Sequence, residues 1–258
     1  MSVAAPDWGE DSRFYLPNED VSVLRTVMRL FRSRVQRPVF VGGSGMALLE
    51  SSAILSKVET VTFVDLAVFQ LDYFERLQCA LRQSASPGEL QNWFVKQIIP
   101  ELREHFRRRG LEFTPGQVLL ALKRRFNVGF FFDERPFDGV RKLLPYIITK
   151  CDDIVSYLAR CGTHHDFIYL SNVPDYLPPP ALNALASACG RHAAPVYLLL
   201  TTACADRDSV IAVFDAAGFR EHPVNEQLNA RNRGLGSPTL NKTWNRPGRI
   251  HLYVPKTS

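Results

Sequence analysis

Two short apolar runs in the first quarter of the sequence end in residues that are suited to hold a nucleoside. Val39–Val41 leads into the glycine turn Gly42-Gly43-Ser44-Gly45, and the run at 61–64 is followed at once by Asp65. Glycines let the backbone turn tightly and approach a ligand, while the next helix offers free N–H groups. A carboxylate about 20 residues beyond such a turn is placed to accept both hydroxyl protons of a ribose. The turn and the carboxylate together predict a nucleoside site.

Two later apolar runs also end in polar residues. Cys151-Asp152-Asp153 follows the run at 146–149 and can flank an adenine and bond its exocyclic amine. The run at 166–171 ends in Ser171 and Asn172, with Tyr176 close behind. In an open α/β sheet, ligands sit beyond the carboxyl ends of the strands. We therefore expect all four segments to meet at one site, with its reactive end at Ser171, Asn172 and Tyr176.

The glycine turn differs from the motifs that bind a pyrophosphate. If Gly43 and Gly45 are the first two glycines of a G-x-G-x-x-G motif, Leu48 stands where the third belongs, and no P-loop lysine follows. The sequence therefore favours a single nucleoside with a small zwitterionic tail over a dinucleotide.

Apolar runs alternate with helix-like segments along the chain, which is typical of a mostly parallel sheet with helices on both faces. The hydrophobic pattern and the prolines after residue 177 predict an α/β, Rossmann-like fold. Strands are expected at 39–41, 61–64, 146–149, 166–171, 196–201 and 250–254, and helices at 21–35, 46–56, 66–82, 152–159, from 178 onwards and at 206–217.

The interval 84–141 interrupts this alternation with helix-like segments at 90–109 and 115–125. We expect residues 1–258 to form one catalytic domain, with 1–37 as an N-terminal helical cap and 84–141 as a helical insertion or lid. Two basic clusters in the insertion, Arg107-Arg108-Arg109 and Lys123-Arg124-Arg125, are interpreted as solvated helix faces; the alternative is a docking surface for RNA or a carrier protein.

Composition narrows the class of protein. The chain has 258 residues, of which 46% are hydrophobic, and a net charge of +5, which is too mild an excess to indicate a nucleic-acid partner. It has no long apolar run and no signal peptide at its start, so a cytoplasmic protein without membrane contacts is expected. Five cysteines without a CxxC pair predict neither a metal site nor disulfides. His105, His164 and His165 are likewise given no ligand role.

Two segments resemble a known family. VFVGGSGMALLESSA followed by VTFVDLAVFQLDYFERLQCAL resembles the first two units of S-adenosylmethionine enzymes related to the diacylglycerol 3-amino-3-carboxypropyl transferases, with Val64-Asp65-Leu66 and Gln70 as matching positions. The stretch from Tyr169 to Tyr176 is similar to that family's Leu-Ser-Asp/Asn segment, and Trp8-Gly9-Glu10-Asp11 to its Trp-Glu-Asp, with Gly9 as an extra residue.

The resemblance implies a class I methyltransferase fold with S-adenosylmethionine as cosubstrate and no metal. It implies that Gly43, Ser44 and Gly45 line the methionine tail, that Asp65 holds the ribose, that Asp152 lies by the adenine, and that 171–176 faces the sulfonium. Cofactor contacts are accordingly expected from Gly42, Gly43, Ser44, Gly45, Asp65, Leu66, Gln70, Cys151, Asp152 and Asp153. The chain shows no apolar helix for membrane docking, which argues against a diacylglycerol acceptor.

The resemblance favours attack at the γ-carbon of the amino-acid arm with release of methylthioadenosine, and most specifically closure to azetidine-2-carboxylate by the substrate's own amine. Tyr176, Asn172 and Ser171 are the candidates to orient that amine. Trp8, Phe14, Tyr15 and the run Phe130-Phe131-Phe132 are candidates for aromatic walls around the cation, although buried packing is the ordinary role of such a run.

Two alternatives stay open. The first is a methyltransferase acting on a small molecule, or less readily on RNA, because Asn172-Val173-Pro174-Asp175-Tyr176 is distantly similar to the Asn-Pro-Pro-Tyr loop of amine methyltransferases. The second is a catalytically silent nucleoside sensor or nucleic-acid-binding protein, whose working surface would be the basic insertion.

Overall fold

The computed structural model describes residues 16–17, 21–108, 112–200, 207–233 and 249–256. Several residues singled out in the sequence lie outside these ranges: Trp8 to Asp11, Phe14, Tyr15, Arg109 and Cys204. Within the described ranges, no helix is long and apolar enough to cross a lipid bilayer.

The described residues form a seven-stranded sheet flanked by helices. The strands are β1 (Val39–Val41), β2 (Val61–Asp65), β3 (Ile147–Cys151), β4 (Ile168–Ser171), β5 (Val196–Leu200), β6 (Phe219–Glu221) and β7 (Arg249–Pro255). The helices are α1 (Val21–Leu30), α2 (Met46–Glu50), α3 (Val68–Gln83), α4 (Pro87–Arg107), α5 (Pro115–Arg124), α6 (Glu134–Leu143), α7 (Ile154–Arg160), α8 (Pro179–His192), α9 (Arg207–Ala216) and α10 (Asn225–Arg233).

The strand order is β3-β2-β1-β4-β5-β7-β6. Strands β1 to β5 are parallel, whereas β7 runs antiparallel between β5 and β6. The predicted mostly parallel, Rossmann-like α/β fold is thereby confirmed. The order reverses between β1 and β4, and this switch point is where an open α/β sheet leaves a crevice for a ligand.

Alternate side chains of each central strand face opposite sides of the sheet, as the period of a β-strand requires. Val39 packs on one face with α7, α8 and α9, while Phe40 packs on the other with α1 to α6. In β5 the same alternation separates Leu198 from Tyr197 and Leu199. Both faces are therefore covered, and the strands in the middle of the sheet are buried along most of their length.

The segment 84–141 contains the two predicted helices and a third. Leu90, Phe94 and Ile98 of α4 are fully buried against the core, together with Phe137 of α6. Helix α6 was not predicted from the sequence, because its ten residues include Pro136, Gly139 and five charged side chains. Three of its positions are buried. The segment packs along one face of the sheet.

Besides α6, four elements differ from expectation. Helix α1 ends at Leu30 and α2 at Glu50, several residues before the predicted ends. Beyond α2 the Ser51 hydroxyl donates to the Ala47 carbonyl (2.9 Å), an arrangement that competes with continued helix. Strand β6 and helix α10 were not expected, because β6 has three residues and α10 buries the apolar side chain of Leu228 alone.

Candidate functional site

A cavity of about 960 Å³ opens at the carboxyl ends of β1, β2 and β4 and beside the start of α7. It lies at the switch point between β1 and β4. The structure brings together at this cavity twelve of the thirteen residues expected to bind or react: Gly42, Gly43, Ser44, Gly45, Asp65, Leu66, Gln70, Asp152, Asp153, Ser171, Asn172 and Tyr176.

The glycine turn after β1 has the conformation that its composition predicts. Gly43 and Gly45 both have φ +69°, in the left-handed region that glycine adopts without a steric cost. A Cβ atom on Gly45 would also lie 2.2 Å from the Phe74 ring. A Cβ atom on Gly42 would lie 1.9 Å from Asp65 Oδ2. The turn therefore needs glycine for two reasons, backbone conformation and close packing.

Asp65 links the end of β2 to this turn. Its Oδ1 accepts a hydrogen bond from the Ala67 amide (2.8 Å). Burial raises the pKa of the Asp65 carboxyl to about 6, against the opposing effect of backbone N–H donors from Ala67, Gly43 and Leu66. The carboxylate is thus fixed at the cavity wall and is mostly ionised at pH 7.

Of the three residues predicted at the end of β3, the two that follow the strand line the cavity and the one that ends it does not. The Asp152 amide donates to the Asp65 carbonyl (3.1 Å), and both Asp152 oxygens accept from Arg160 Nη2 (3.0 and 2.8 Å). Asp153 caps α7, with Oδ2 accepting from the Ser156 amide (2.9 Å). Cys151 is exposed on the edge strand, its thiol directed at the Leu66 carbonyl (3.8 Å), and it does not line the cavity.

The end of β4 is irregular. Ser171 has φ +47°, which is uncommon for a residue with a side chain, and the pairing with β5 shifts register between Tyr169 and Ser171. Ser171 and Asn172 are 8% and 9% exposed. Asn172 Nδ2 donates to the Tyr176 hydroxyl (3.0 Å) across the 3-10 turn Val173–Tyr176. Strained backbone of this kind is often found at functional sites.

Sequence reasoning missed several wall residues. Phe69 and Tyr169 carried a usable signal, because each lies within a few residues of a predicted strand end. Ile154 and Val155 carried the same signal, because they directly follow Asp153. Other wall residues carried none, because their approach to the cavity depends on how residues 16–17 and α8 pack; they include Leu16, Pro17, Pro180, Ala181 and Ala184.

Phe130, Phe131 and Phe132 have the packing role that the sequence favoured for this run, and they do not form the aromatic walls that were the other candidate role. Phe130 and Phe131 are 0% exposed and stack on one another with ring centroids 4.7 Å apart, and Phe131 also meets Phe94 at 5.1 Å. None of the three lines the cavity, and Lys123 lies over the Phe132 ring at 5.4 Å. They pack within the core because their segment covers the face of the sheet rather than the strand ends.

The other charged clusters lie apart from the cavity. Arg107 and Arg108 are exposed and both pair with Glu104 on α4.

The histidine His165 is buried, with Nδ1 at 2.9 Å from the Arg37 carbonyl and Nε2 at 3.2 Å from the Tyr157 hydroxyl. Among the described residues, no group of three or more His, Cys, Asp or Glu is arranged to hold a metal ion.

Comparison with known proteins gives structural likenesses only. No protein-family model and no curated protein matches the sequence. The methyltransferase domain of bacterial CtHen1 is 10% identical, with 92% of this chain and 97% of that chain covered and a TM-score of 0.48. The magnesium protoporphyrin IX methyltransferase of Synechocystis PCC 6803, solved with bound S-adenosylmethionine, is 11% identical, with 91% and 77% covered and a TM-score of 0.47. The cyclase SpnF is 11% identical, with 90% and 80% covered and a TM-score of 0.44.

Proposed function

We propose that the cavity binds S-adenosylmethionine and that the protein is a methyltransferase acting on a small molecule. The observation that supports this most is the meeting of a glycine turn, a ribose-type carboxylate and a second acidic segment at one crevice, in the order tail, ribose and adenine along β1, β2 and β3. That order is the one a nucleoside with an amino-acid tail requires.

The tail, the ribose and the adenine of the ligand each have lining residues of suitable chemistry. The turn from Gly42 to Gly45 has no side chain larger than serine, so the tail can approach the backbone. Asp65 can accept the two ribose hydroxyl protons. Asp152 can accept from the exocyclic amine of adenine, while Ile154 and Val155 supply apolar contact to the ring.

When bound, S-adenosylmethionine supplies a carbon activated by the sulfonium: the methyl carbon, whose attack leaves S-adenosylhomocysteine, or the γ-carbon of the amino-acid arm, whose attack leaves methylthioadenosine. The protein selects between them by deciding which carbon faces a nucleophile. In this chain the residues at that end are Ser171, Asn172 and Tyr176. Their hydrogen-bonding groups orient the nucleophile, and the Asn172 amide holds the Tyr176 hydroxyl in place.

The size of the cavity is in keeping with transfer to a second molecule. A volume of about 960 Å³ is at the top of the ~300–1,000 Å³ range of pockets for one drug-sized ligand. Space for an acceptor beside the nucleoside is needed for methyl transfer and is not needed for an intramolecular closure.

A second candidate is attack at the γ-carbon, including closure to azetidine-2-carboxylate. It is favoured by the almost fully buried Ser171 and Asn172 next to Tyr176, since a group of polar side chains shielded from water can orient the amine of the substrate itself.

One product assay separates the candidates. Purified protein is incubated with S-adenosylmethionine alone and with a panel of small amines, alcohols and thiols, and the nucleosides are separated. S-adenosylhomocysteine that forms only with an acceptor supports methyl transfer. Methylthioadenosine in the absence of any acceptor would contradict methyl transfer and support closure. If calorimetry detects no uptake of S-adenosylmethionine, both candidates are wrong.

A further inference from the structure

The glycine turn after β1 lies against a buried aromatic ring. A Cβ atom on Gly45 would be 2.2 Å from Cδ2 and 2.3 Å from Cε2 of Phe74, so the ring occupies the space where any other residue would have its side chain. Ring carbons this close to a missing Cβ are in van der Waals contact with the Gly45 backbone. The turn is therefore supported from α3, at a residue whose φ is +69°.

The same ring packs on the strand that carries Asp65. The ring centroids of Phe74 and Phe63 are 4.1 Å apart at an interplanar angle of 32°, and both side chains are 0% exposed. Phe63 stands two residues before Asp65 on β2, and β2 is paired with a strand on each side, β1 and β3. Phe74 is therefore enclosed between a strand that is held at both edges and the backbone of Gly45.

The glycine turn is packed at both ends against side chains of neighbouring elements. At Gly42 it meets the Asp65 carboxylate, and at Gly45 it meets the Phe74 ring. The first contact belongs to the ribose part of the proposed site, and the second belongs to the part expected to hold the amino-acid tail. Phe74 itself does not line the cavity. A change at Phe74 should thus affect the tail and the ribose unequally.

We propose that Phe74 is a positioning residue for the amino-acid tail of the ligand: its ring, which packs on Phe63, keeps the Gly45 backbone where the tail binds. The proposal rests on the proposed S-adenosylmethionine site. A leucine at position 74 lacks the flat ring, so the backbone at Gly45 can move toward α3. Small displacements of groups that position a ligand carry large costs. The ribose contact at Gly42 does not involve the ring and stays in place.

Calorimetry with S-adenosylmethionine and with adenosine, which lacks the tail, tests the proposal without an acceptor. In Phe74→Leu we expect S-adenosylmethionine to bind about tenfold more weakly, and adenosine to bind within about twofold of the unmodified protein. Phe94→Leu is the matched control, because Phe94 is a fully buried residue of α4 that packs on Phe131 and does not line the cavity. It should lower the melting temperature similarly and leave the ratio of the two affinities unchanged.

The ratio of the two affinities decides the outcome. If the affinity of Phe74→Leu for S-adenosylmethionine does not fall by more than its affinity for adenosine, the proposal is overturned. Should this variant fail to fold, Phe74→Met takes its place, because methionine keeps most of the side-chain volume without the flat ring. The same ratio is then decisive.

A double-variant cycle tests whether Phe74 acts through Gly45. Gly45→Ala places a methyl group against the ring and should also weaken S-adenosylmethionine more than adenosine. When Phe74→Leu is added, the methyl group gains room, so the two losses should not multiply. Losses that multiply would overturn the proposal and indicate another route, such as Gln70, which lies one helical turn before Phe74 and lines the cavity.

Failure of the underlying site would be visible in the unmodified protein. If that protein binds neither ligand, or binds S-adenosylmethionine no more tightly than adenosine, the proposed S-adenosylmethionine site is wrong and the role of Phe74 falls with it. A wrong assignment of Phe74 alone leaves tight binding of S-adenosylmethionine by the unmodified protein intact.

Discussion

Gly42 lies directly against the carboxylate of Asp65, so that a Cβ atom at position 42 would be 1.9 Å from Asp65 Oδ2. The Gly42 amide also donates to the Val64 carbonyl (2.8 Å), the last link between β1 and β2. The end of one strand therefore sets the position of the carboxylate on the next.

Replacing Gly42 by alanine should displace this carboxylate. We expect Gly42→Ala to weaken binding of S-adenosylmethionine about tenfold, because the added methyl group must push Asp65 out of the geometry that accepts two ribose hydroxyls. Calorimetry measures the affinity. Gly162→Ala is the matched control, since a Cβ there meets nothing within 4 Å, and it should leave the affinity unchanged. Unaltered binding by Gly42→Ala would show that Asp65 does not hold the ribose.

Ligand binding should weaken in mild acid. Burial raises the pKa of Asp65 to about 6, so the carboxylate is largely ionised at pH 7.5 and largely protonated at pH 5. A protonated carboxyl cannot accept both hydroxyl protons, and we expect the affinity for adenosine to fall as the pH falls through about 6. Adenosine is the chosen ligand because it lacks the tail. Asp65→Asn should bind more weakly at pH 7.5 and lose most of the pH dependence, whereas an equally steep profile in that variant would contradict the assignment.

Tyr176→Phe removes the hydroxyl that accepts from Asn172. We expect turnover with the acceptor identified in the product assay to fall about 10- to 100-fold, because the nucleophile loses an orienting or proton-accepting group. The dissociation constant for S-adenosylmethionine should stay within about twofold. Tyr146→Phe changes an exposed tyrosine outside the cavity and serves as control. Unchanged turnover would remove Tyr176 from the mechanism.

We expect the ionisation of Glu50 to make the stability of the fold, rather than ligand binding, depend on pH. It is buried on α2, where Oε1 accepts from the Phe130 amide (2.8 Å) and Oε2 pairs with Arg25 (3.2 Å). Burial raises its pKa from 4.5 to about 7. The folded state therefore holds this proton more tightly than the unfolded state, and the contribution of the group to stability is full below pH 4.5 and is lost as the pH rises through about 7.

Glu50→Gln keeps a neutral side chain at every pH. Its melting temperature relative to the unmodified protein should therefore rise between pH 5 and pH 8. Thermal melts at both values measure the difference. Glu75→Gln, an exposed position on α3, is the control and should show a smaller change. A difference that does not depend on pH would contradict the raised pKa.

The mostly parallel sheet and the position of the cavity followed from local patterns, whereas the order of the strands was not predicted. Gly42 to Gly45 and Asp65 stand next to their strands in the chain, and a parallel sheet must bring such strand ends to one edge. For the same reason Asp152 and Asn172 reach the cavity. Whether they bind the nucleoside stays a prediction.

Which other residues line the cavity depends on how the helices pack on the sheet, and a local sequence pattern does not show this packing. The apolar run at Phe130 is compatible with either a cavity wall or a core, and only the path of α4 to α6 over the sheet places it in the core. Ala181 and Ala184 look like ordinary helix residues until α8 lies beside α7. Cys151 and Asp152 are adjacent, yet only the second lines the cavity, because the first ends the exposed edge strand.

The antiparallel strand has a consequence for how the molecule acquires its native state. The described pairing partner of β6 is β7, and β7 also meets β5, whose residues precede it by about fifty positions. During synthesis on the ribosome, β6 (219–221) cannot pair with β7 until residues 249–255 have been made. Until β7 has paired, β5 is an edge strand with unpaired backbone groups. We therefore expect the distance in sequence between β5 and β7, rather than local propensity, to limit the rate at which the sheet is completed.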